Sequence, residues 1–434
     1  MSQRSTVARV TRRLIPFAFL CYVVAYIDRV NVGFAATHLQ RDLGISATHY
    51  GIGAGLFFLG YCLFEIPSNI ILERVGARRW IARIMIVWGF ASMATMFVTG
   101  VTSFMISRVV LGIAEAGFFP GIVLYLTYWI PAADRARTGA FFMMAAPVAV
   151  IVGAPLSEAI LNLDGWLGLR GWQWLFLLEG LPAVVLGVLA LIVLTDRPEG
   201  AAWLPPAERQ WLASTLAEER AAKQAHGFVS ISESLTSRPV WMLSAIFFMH
   251  GVVNYGIFLW LPKLVRDVTG AHGLTLTIAT GLPFVVALAA MVLVGRHSDR
   301  SGERRLHVAG CAITAAAGLL LAAAFQHNLW LLTASFALSQ IGLRSFAAVF
   351  WAIPPQILTG TAAAAGIALI NSIGNLGGFV GPTLIGALYD LTGGYTGGFL
   401  ALTLALIIET ALVLALRLPS AAPATAAATV AARR

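Results

Sequence analysis

Long apolar runs recur along the chain, separated by short polar stretches. A run of about 20 apolar residues crosses a bilayer as a helix. Inside lipid such a segment must satisfy its own backbone groups, and a helix does so. The runs fall at 14–36, 50–72, 80–99, 102–129, 138–161, 172–195, 240–263, 274–295, 306–325, 329–352, 362–388 and 396–416. A transmembrane β-barrel would show short alternating segments instead. One stretch, 196–239, breaks the pattern with Arg197, Pro198, Glu199, Pro205, Pro206, Glu208, Glu218, Glu219, Arg220 and Lys223. It predicts a polar linker with a short amphipathic helix near 206–224. Six runs precede it and six follow. The expected architecture is an all-α membrane protein of 12 helices: N-terminal segment 1–13, six-helix bundle 14–195, central loop 196–239, six-helix bundle 240–416 and tail 417–434. The first run carries Asp28 and Arg29 and is too long for a cleaved leader, so it is expected to stay on the chain.

Composition removes the competing classes. The chain is 59% hydrophobic and 11% charged. Soluble proteins carry about 25% charged residues, so too few are present to cover a water-facing surface. A soluble enzyme, a disordered chain and a fibrous protein are excluded. The net charge of +9 is spread over short loops, which argues against nucleic acid. Most basic residues fall on the side of the N-terminus. Arg41, Arg170, Lys263 and Arg266 fall on the other, and Arg29, Arg108 and Arg344 lie within runs. That asymmetry predicts cytoplasmic termini in a cell membrane. Cys21, Cys62 and Cys311 sit in apolar stretches without CxxC spacing and read as small buried hydrophobes.

The halves share a loop pattern. The run Asn69-Ile-Ile-Leu-Glu73-Arg74-Val-Gly76-Ala-Arg78-Arg79 follows the second apolar segment. Gly295-Arg-His-Ser-Asp299-Arg300-Ser-Gly302-Glu-Arg304-Arg305 follows the eighth. Both read acid-Arg-x-Gly-x-Arg-Arg at equivalent places, as in transporters built from related bundles. Glycine permits the tight turn. The carboxylate, Glu73 or Asp299, is expected to meet a neighbouring helix N-terminus or its arginines. On these motifs and the six-plus-six division the chain resembles the major facilitator superfamily over nearly its whole length. Asn69 and Glu73 depart from the glycine and aspartate of the family's loop signature.

Ionisable residues inside the apolar runs are the candidates for function. The first run holds Tyr26, Asp28, Arg29 and Asn31; the fourth holds Arg108 and Glu115. Arg108 and Glu115 are two helical turns apart and share one face. If both faces turn inward, two acids and two arginines converge. An arginine fork grips a carboxylate, and a neighbouring acid competes for that arginine until it is protonated. Proton and anion binding are then linked. Packing by a salt-bridge network is the alternative. Tyr-x-Asp28-Arg29-x-Asn31, Phe64–Asn69, Arg108 through Gly121 and residues 362–382 further resemble the anion:cation symporter family. That resemblance implies uptake of sugar acids, tartrate or aromatic carboxylates with protons. It puts proton coupling on Asp28 and Glu115, anion binding on Arg29 and Arg108, and a substrate contact on Tyr61.

Other polar residues leave alternatives open. Asn371 and Asn375 share a helix face and fit either substrate hydrogen bonding or helix–helix packing. Arg344 fits a grip on a second carboxylate, a helix-end partner or an outward snorkel. His250 and Asn254 share a face, and His250 fits either a titrating cavity wall or plain packing. Glu65 and Glu179 read as structural, and Glu409 has no evident role. Walker A, HExxH and zinc-ligand spacings are absent from the sequence. No catalytic residue, metal or cofactor is expected. The expected partners are a small organic anion, a co-transported proton and the lipid bilayer, with a single copy sufficing. An exporter or exchanger of the same fold, and a non-transporting anion receptor, are the competing functions.

Overall fold

A computed structural model describes residues 3–225, 237–354 and 360–416. The tail expected at 417–434 and residues 226–236 of the central loop lie outside the described residues. The helices are α1 Gln3–Leu43, α2 Ala47–Val75, α3 Ala77–Ala94, α4 Val101–Glu115, α5 Phe118–Thr127, α6 Ala132–Met143, α7 Ala145–Leu161 and α8 Gly171–Val193. After the amphipathic α9 Pro206–Ala225 come α10 Arg238–Thr269, α11 Gly273–Ser301, α12 Arg305–Phe325, α13 Leu329–Phe350, α14 Gly360–Thr392 and α15 Thr396–Ala415. Among the described residues there is no strand.

Eleven described helical segments are long and apolar enough to cross a membrane. The twelfth expected crossing, α13, spans 22 residues. Gln340 and Arg344 lower its apolarity, because this helix presents polar groups inward. The fourth and fifth crossings are not the unbroken helices expected. The fourth breaks directly after Glu115, where Ala116 takes an extended ψ of 131° and Gly117 a φ of 84°. A side chain at Gly117 would also run into Ser68 on α2. Pro120 falls in the first turn of α5, where its missing N–H costs no helix bond. The fifth crossing divides at Met144, between α6 and α7.

Within the first half α3 packs on α8, α2 on α4, and α1 on α7 and α8. Within the second, α12 packs on α13 and α15, α11 on α13, and α10 on α14 and α15. The halves meet through α2 with α14, α7 with α11, and α1 with α10. These contacts concentrate at the end away from the N-terminus, here called the outer end. Asp390 caps α2 across the halves, accepting from the N–H of Ala47 at 3.2 Å and of Thr48 at 2.7 Å. Arg266 Nη2 donates to Glu158 Oε2 at 2.8 Å, and Gly273 N–H to Glu158 Oε1 at 3.1 Å. The α2–α14 crossing is close enough that a Cβ at Gly55 would sit 2.8 Å from the Phe379 carbonyl oxygen. At the opposite end, the ion pairs among the described residues stay within a half or reach α9. The outer end is therefore shut.

Glu158→Gln should loosen that closure. Losing a charge-assisted hydrogen bond shifts the equilibrium toward outer opening by roughly tenfold or more. Spin-label distances between the outer ends of α7 and α11 report the shift. An unchanged distance distribution would mean that Glu158 does not hold the halves together.

Candidate functional site

The buried charges of the first half meet across α1, α2 and α4. Arg29 projects from the middle of α1, and its Nε donates to Glu115 Oε1 at 2.8 Å. Its Nη2 lies 2.5 Å from the same oxygen. Glu115 is the last residue of α4, held at the break beside Gly117. Both side chains are almost wholly buried. The Arg29 guanidinium is walled by Tyr26, Phe57 and Tyr61, with ring centroids 5.4, 5.4 and 5.2 Å away. Aromatic faces attract a guanidinium, so the arginine stays aimed along α2.

The expected convergence of two acids with two arginines is only partly present. Asp28 makes no ion pair with either arginine, though Arg108 lies within electrostatic reach of it. Its carboxylate accepts from Trp88 Nε1 and Ser92 Oγ, each at 2.5 Å, and from Asn31 Nδ2 at 2.9 Å. Adjacent residues on a helix point about 100° apart, so Arg29 faces α4 while Asp28 faces α3. Arg108 is 1% exposed. Its Nε and Nη1 find no hydrogen-bond partner, and its guanidinium lies 5.4 Å from Phe57. Phe57 thus stands against both Arg29 and Arg108, and Arg108 lies within electrostatic reach of Tyr50, Asp28 and Glu115. Trp88→Phe should lower unfolding stability in detergent by about 1–3 kcal/mol, because Asp28 would lose a donor in a buried site. An unchanged melting temperature would show that this bond carries no weight.

Across from Arg29 stands Arg344 of α13. Its Nη2 donates to Asn254 Oδ1 at 2.6 Å and its Nε to Gln340 Oε1 at 3.1 Å. The guanidinium lies 5.3 Å from the Phe284 ring. It is half-buried and within electrostatic reach of Tyr22, Tyr26 and Tyr255. Neither a helix end nor an outward snorkel accounts for it. Among the described ion pairs, none involves Arg344. Rings from both halves close around this space. Tyr255 meets Phe58 at 4.2 Å and Tyr26 meets Phe258 at 6.1 Å. Asn371 Nδ2 donates across the halves to Glu65 Oε1 at 3.1 Å, and Cys62 Sγ to the Ser372 carbonyl at 3.1 Å. Asn375, half-buried one turn on, has no hydrogen bond recorded among the described residues.

His250 does not line this space. It is buried in the second half, stacked on Phe346 at 3.9 Å, with Glu409 Oε1 3.7 Å from its Nδ1. Glu179, read as structural, accepts from Ser157 Oγ at 2.7 Å and joins α7 to α8.

The two loop motifs close differently. Gly302 has a φ of 68°, and Asp299 Oδ1 pairs with Arg304 Nη2 at 2.6 Å, as expected. In the first copy Gly76 has a φ of 98°, but the acid that meets the N-terminus of α3 is Asp196, just after α8, and not Glu73. Asp196 Oδ1 accepts from the Arg78 N–H at 2.8 Å, and Arg78 Nε donates to the Leu191 carbonyl at 2.6 Å. Glu73, Arg74 and Arg300 are exposed. Asp196 sits nearer the N-terminus of α3 than Glu73, which ends the preceding helix pointing outward.

Sequence reasoning missed Trp88, Ser92, Phe57, Gln340 and Asp196. The spacing of Trp88 and Ser92, one turn apart on a single helix face, was the available signal for a shared partner. Nothing local marked the other three.

Comparison with known proteins places the chain in a family and matches its fold. Residues 18–279 and 266–433 match the family model described as Major Facilitator Superfamily. An Agrobacterium vitis protein, named by assignment as a tartrate transporter, is 49% identical over 89% of this chain and 89% of its own length. The metabolite transport protein NicT of Pseudomonas putida, also named by assignment, is 43% identical over 89% of this chain and 88% of its own. A quinolone resistance transporter of Acinetobacter baumannii is 38% identical over 90% of both chains. Among solved structures, a bacterial homologue of the human lysosomal transporter Spinster superposes with a TM-score of 0.75 at 17% identity, covering 94% of this chain and 96% of that one. The Escherichia coli xylose transporter XylE gives 0.74 at 14% identity, covering 94% and 98%.

Proposed function

The chain belongs to the Major Facilitator Superfamily, and from that premise we propose that it is a proton-coupled importer of a small organic anion. It is a multi-pass membrane transporter, not an enzyme. The observation that carries the finer reading is the buried Arg29–Glu115 pair facing Arg344, which has no acid partner among the described residues, across the halves. In this reading Glu115 and the substrate compete for Arg29. A proton on Glu115 removes its charge, and Arg29 Nε and Nη2 turn to the incoming carboxylate. Loss of that proton restores the ion pair and expels the anion. Asp28, in the same site, is a further proton acceptor, and its protonation would loosen the Trp88 and Ser92 bonds that tie α1 to α3. Arg344 takes a second carboxylate, which favours dicarboxylates such as tartrate over monocarboxylates. Tyr26, Tyr61, Tyr255, Asn254, Asn371 and Asn375 would complete the walls, and both termini would lie in the cytoplasm. Arg108, kept behind Phe57 in this outer-closed form, becomes a second anion contact only if Phe57 swings aside.

Alternating access follows from the closure already described: the outer contacts at Glu158–Arg266 and Asp390–α2 part as the inner end closes. Purified protein in liposomes tests the reading. An inward proton gradient should drive uptake of labelled tartrate, a sugar acid or an aromatic carboxylate. A second reading, export, has one observation in its favour: a relative named as a quinolone resistance transporter. Extrusion of a quinolone without uptake of any organic anion would establish export.

A further inference from the structure

The second half holds a buried pair of titratable groups that the mechanism above leaves unused. Glu409 of α15 is 0% exposed, and neither of its oxygens has a hydrogen-bond partner among the described residues. Its Oε1 lies 3.7 Å from Nδ1 of His250 on α10; this histidine is also buried, and its Nδ1 has no hydrogen-bond partner among the described residues. The imidazole is clamped flat against Phe346 of α13. One turn along α10, Asn254 accepts from Arg344. Packing alone does not explain an acid placed here. A carboxylate in a helix bundle with no donor is costly, and an apolar residue of the same volume would fill the space better.

We propose that His250 and Glu409 form a second proton-binding site, linked through Arg344 to occupation of the anion site. The pair is electrically balanced when it carries one proton. That proton sits on Glu409 with a neutral imidazole, or on His250 as an ion pair with the carboxylate. The two forms differ only in where the proton lies along one short gap. Giving it up leaves a net negative charge in the half that holds Arg344, and the two charges balance. An anion arriving on Arg344 satisfies that arginine, and the pair then takes a proton back. Anion and proton thus bind together, as linkage requires.

The groups around the pair fit this assignment. From α12 the thiol of Cys311 is within electrostatic reach of Glu409. From α13 the charge acting on His250 is that of Arg344. From α14, Asp390 lies at the far outer end, engaged with α2. Among the described residues no lysine or other arginine is paired with Glu409. The second half therefore repeats the logic of Arg29 and Glu115, with Asn254 and His250 interposed between arginine and acid.

This inference rests on the proton-coupled reading above, and its test separates the two. Purified full-length protein in weakly buffered detergent is titrated with tartrate while an indicator dye counts protons. The wild type should take up one more proton per bound tartrate than Glu409→Gln. The dependence of apparent tartrate affinity on pH should lose one step of about tenfold per pH unit in the variant. His250→Gln should remove the same step, and it serves if Glu409→Gln does not fold. Infrared difference spectra between acid and alkaline protein, without any anion, read the pair alone. The wild type should show a protonated-carboxyl C=O band, or imidazolium ring bands where the proton sits on His250, that Glu409→Gln removes. Equal proton counts and equal pH slopes in wild type and both variants would overturn the second site. Absence of proton uptake in the wild type on tartrate binding would overturn the proton-coupled reading instead. If tartrate does not bind, the infrared band decides: its presence in the wild type and loss in Glu409→Gln supports the titrating pair, and identical spectra overturn it.

Discussion

Glu115→Gln is expected to abolish gradient-driven accumulation while leaving exchange in place. Each coupled proton supports about tenfold accumulation per unit of pH difference across the membrane. Glutamine keeps the shape of the protonated acid, so Arg29 stays free for the anion. Substrate then binds and crosses without waiting for the proton that gates Arg29, so protons held at Asp28 or in the second half no longer enforce accumulation. In liposomes with an inward proton gradient of one unit, internal substrate should level at the external concentration. Counterflow of labelled against unlabelled substrate should continue. The reason is the geometry of one oxygen: Glu115 Oε1 receives both Arg29 Nε and Nη2, so acid and anion cannot hold that guanidinium together. Retained concentrative uptake in Glu115→Gln would remove the assignment of the coupling proton.

Arg344→Gln is the second large effect. A guanidinium that grips a carboxylate in a site shielded by Tyr26, Tyr255 and Phe284 contributes about 2–5 kcal/mol when its loss leaves the partner unpaired. The apparent Kd for tartrate should rise by roughly a hundredfold, near the lower part of that range. A monocarboxylate, already satisfied by Arg29, should lose no more than about threefold. The difference between the two substrates is the informative quantity, because a folding defect would weaken both. Arg344→Lys should recover only part of the loss, since a point charge does not reproduce the fork. Equal losses for mono- and dicarboxylates would place Arg344 outside the substrate's reach.

The fold was readable because lipid leaves few choices. Long apolar runs become helices, and glycine-bearing basic loops become turns. The breaks inside the fourth and fifth crossings were not readable, since the fourth depends on Ser68 standing where a side chain at position 117 would go. The candidate site divides in the same way. Asp28, Arg29, Arg108, Glu115 and Arg344 stand out as charges in apolar surroundings. Their partners do not follow from that. Neighbouring positions 28 and 29 point in different directions, and each finds its partner on another helix. Asp28 meets Trp88 and Ser92, ordinary residues in an apolar run. Arg344 looked ambiguous because its helix face is set by how α13 packs on α11 and α12. His250 and Glu409 come from the first and last helices of the second half, and only packing joins them. Glu73 was the visible acid of the first loop motif. Asp196, at the end of α8, reaches the α3 terminus first.

The central claim is that anion and proton move inward together. Liposomes containing the wild-type protein are given an inward proton gradient, labelled tartrate outside, and then a protonophore. The account predicts tartrate accumulation above the external level, collapse of that excess when the protonophore is added, and acidification of the lumen in step with uptake. Uptake that stops at equilibrium and ignores both the gradient and the protonophore would contradict it.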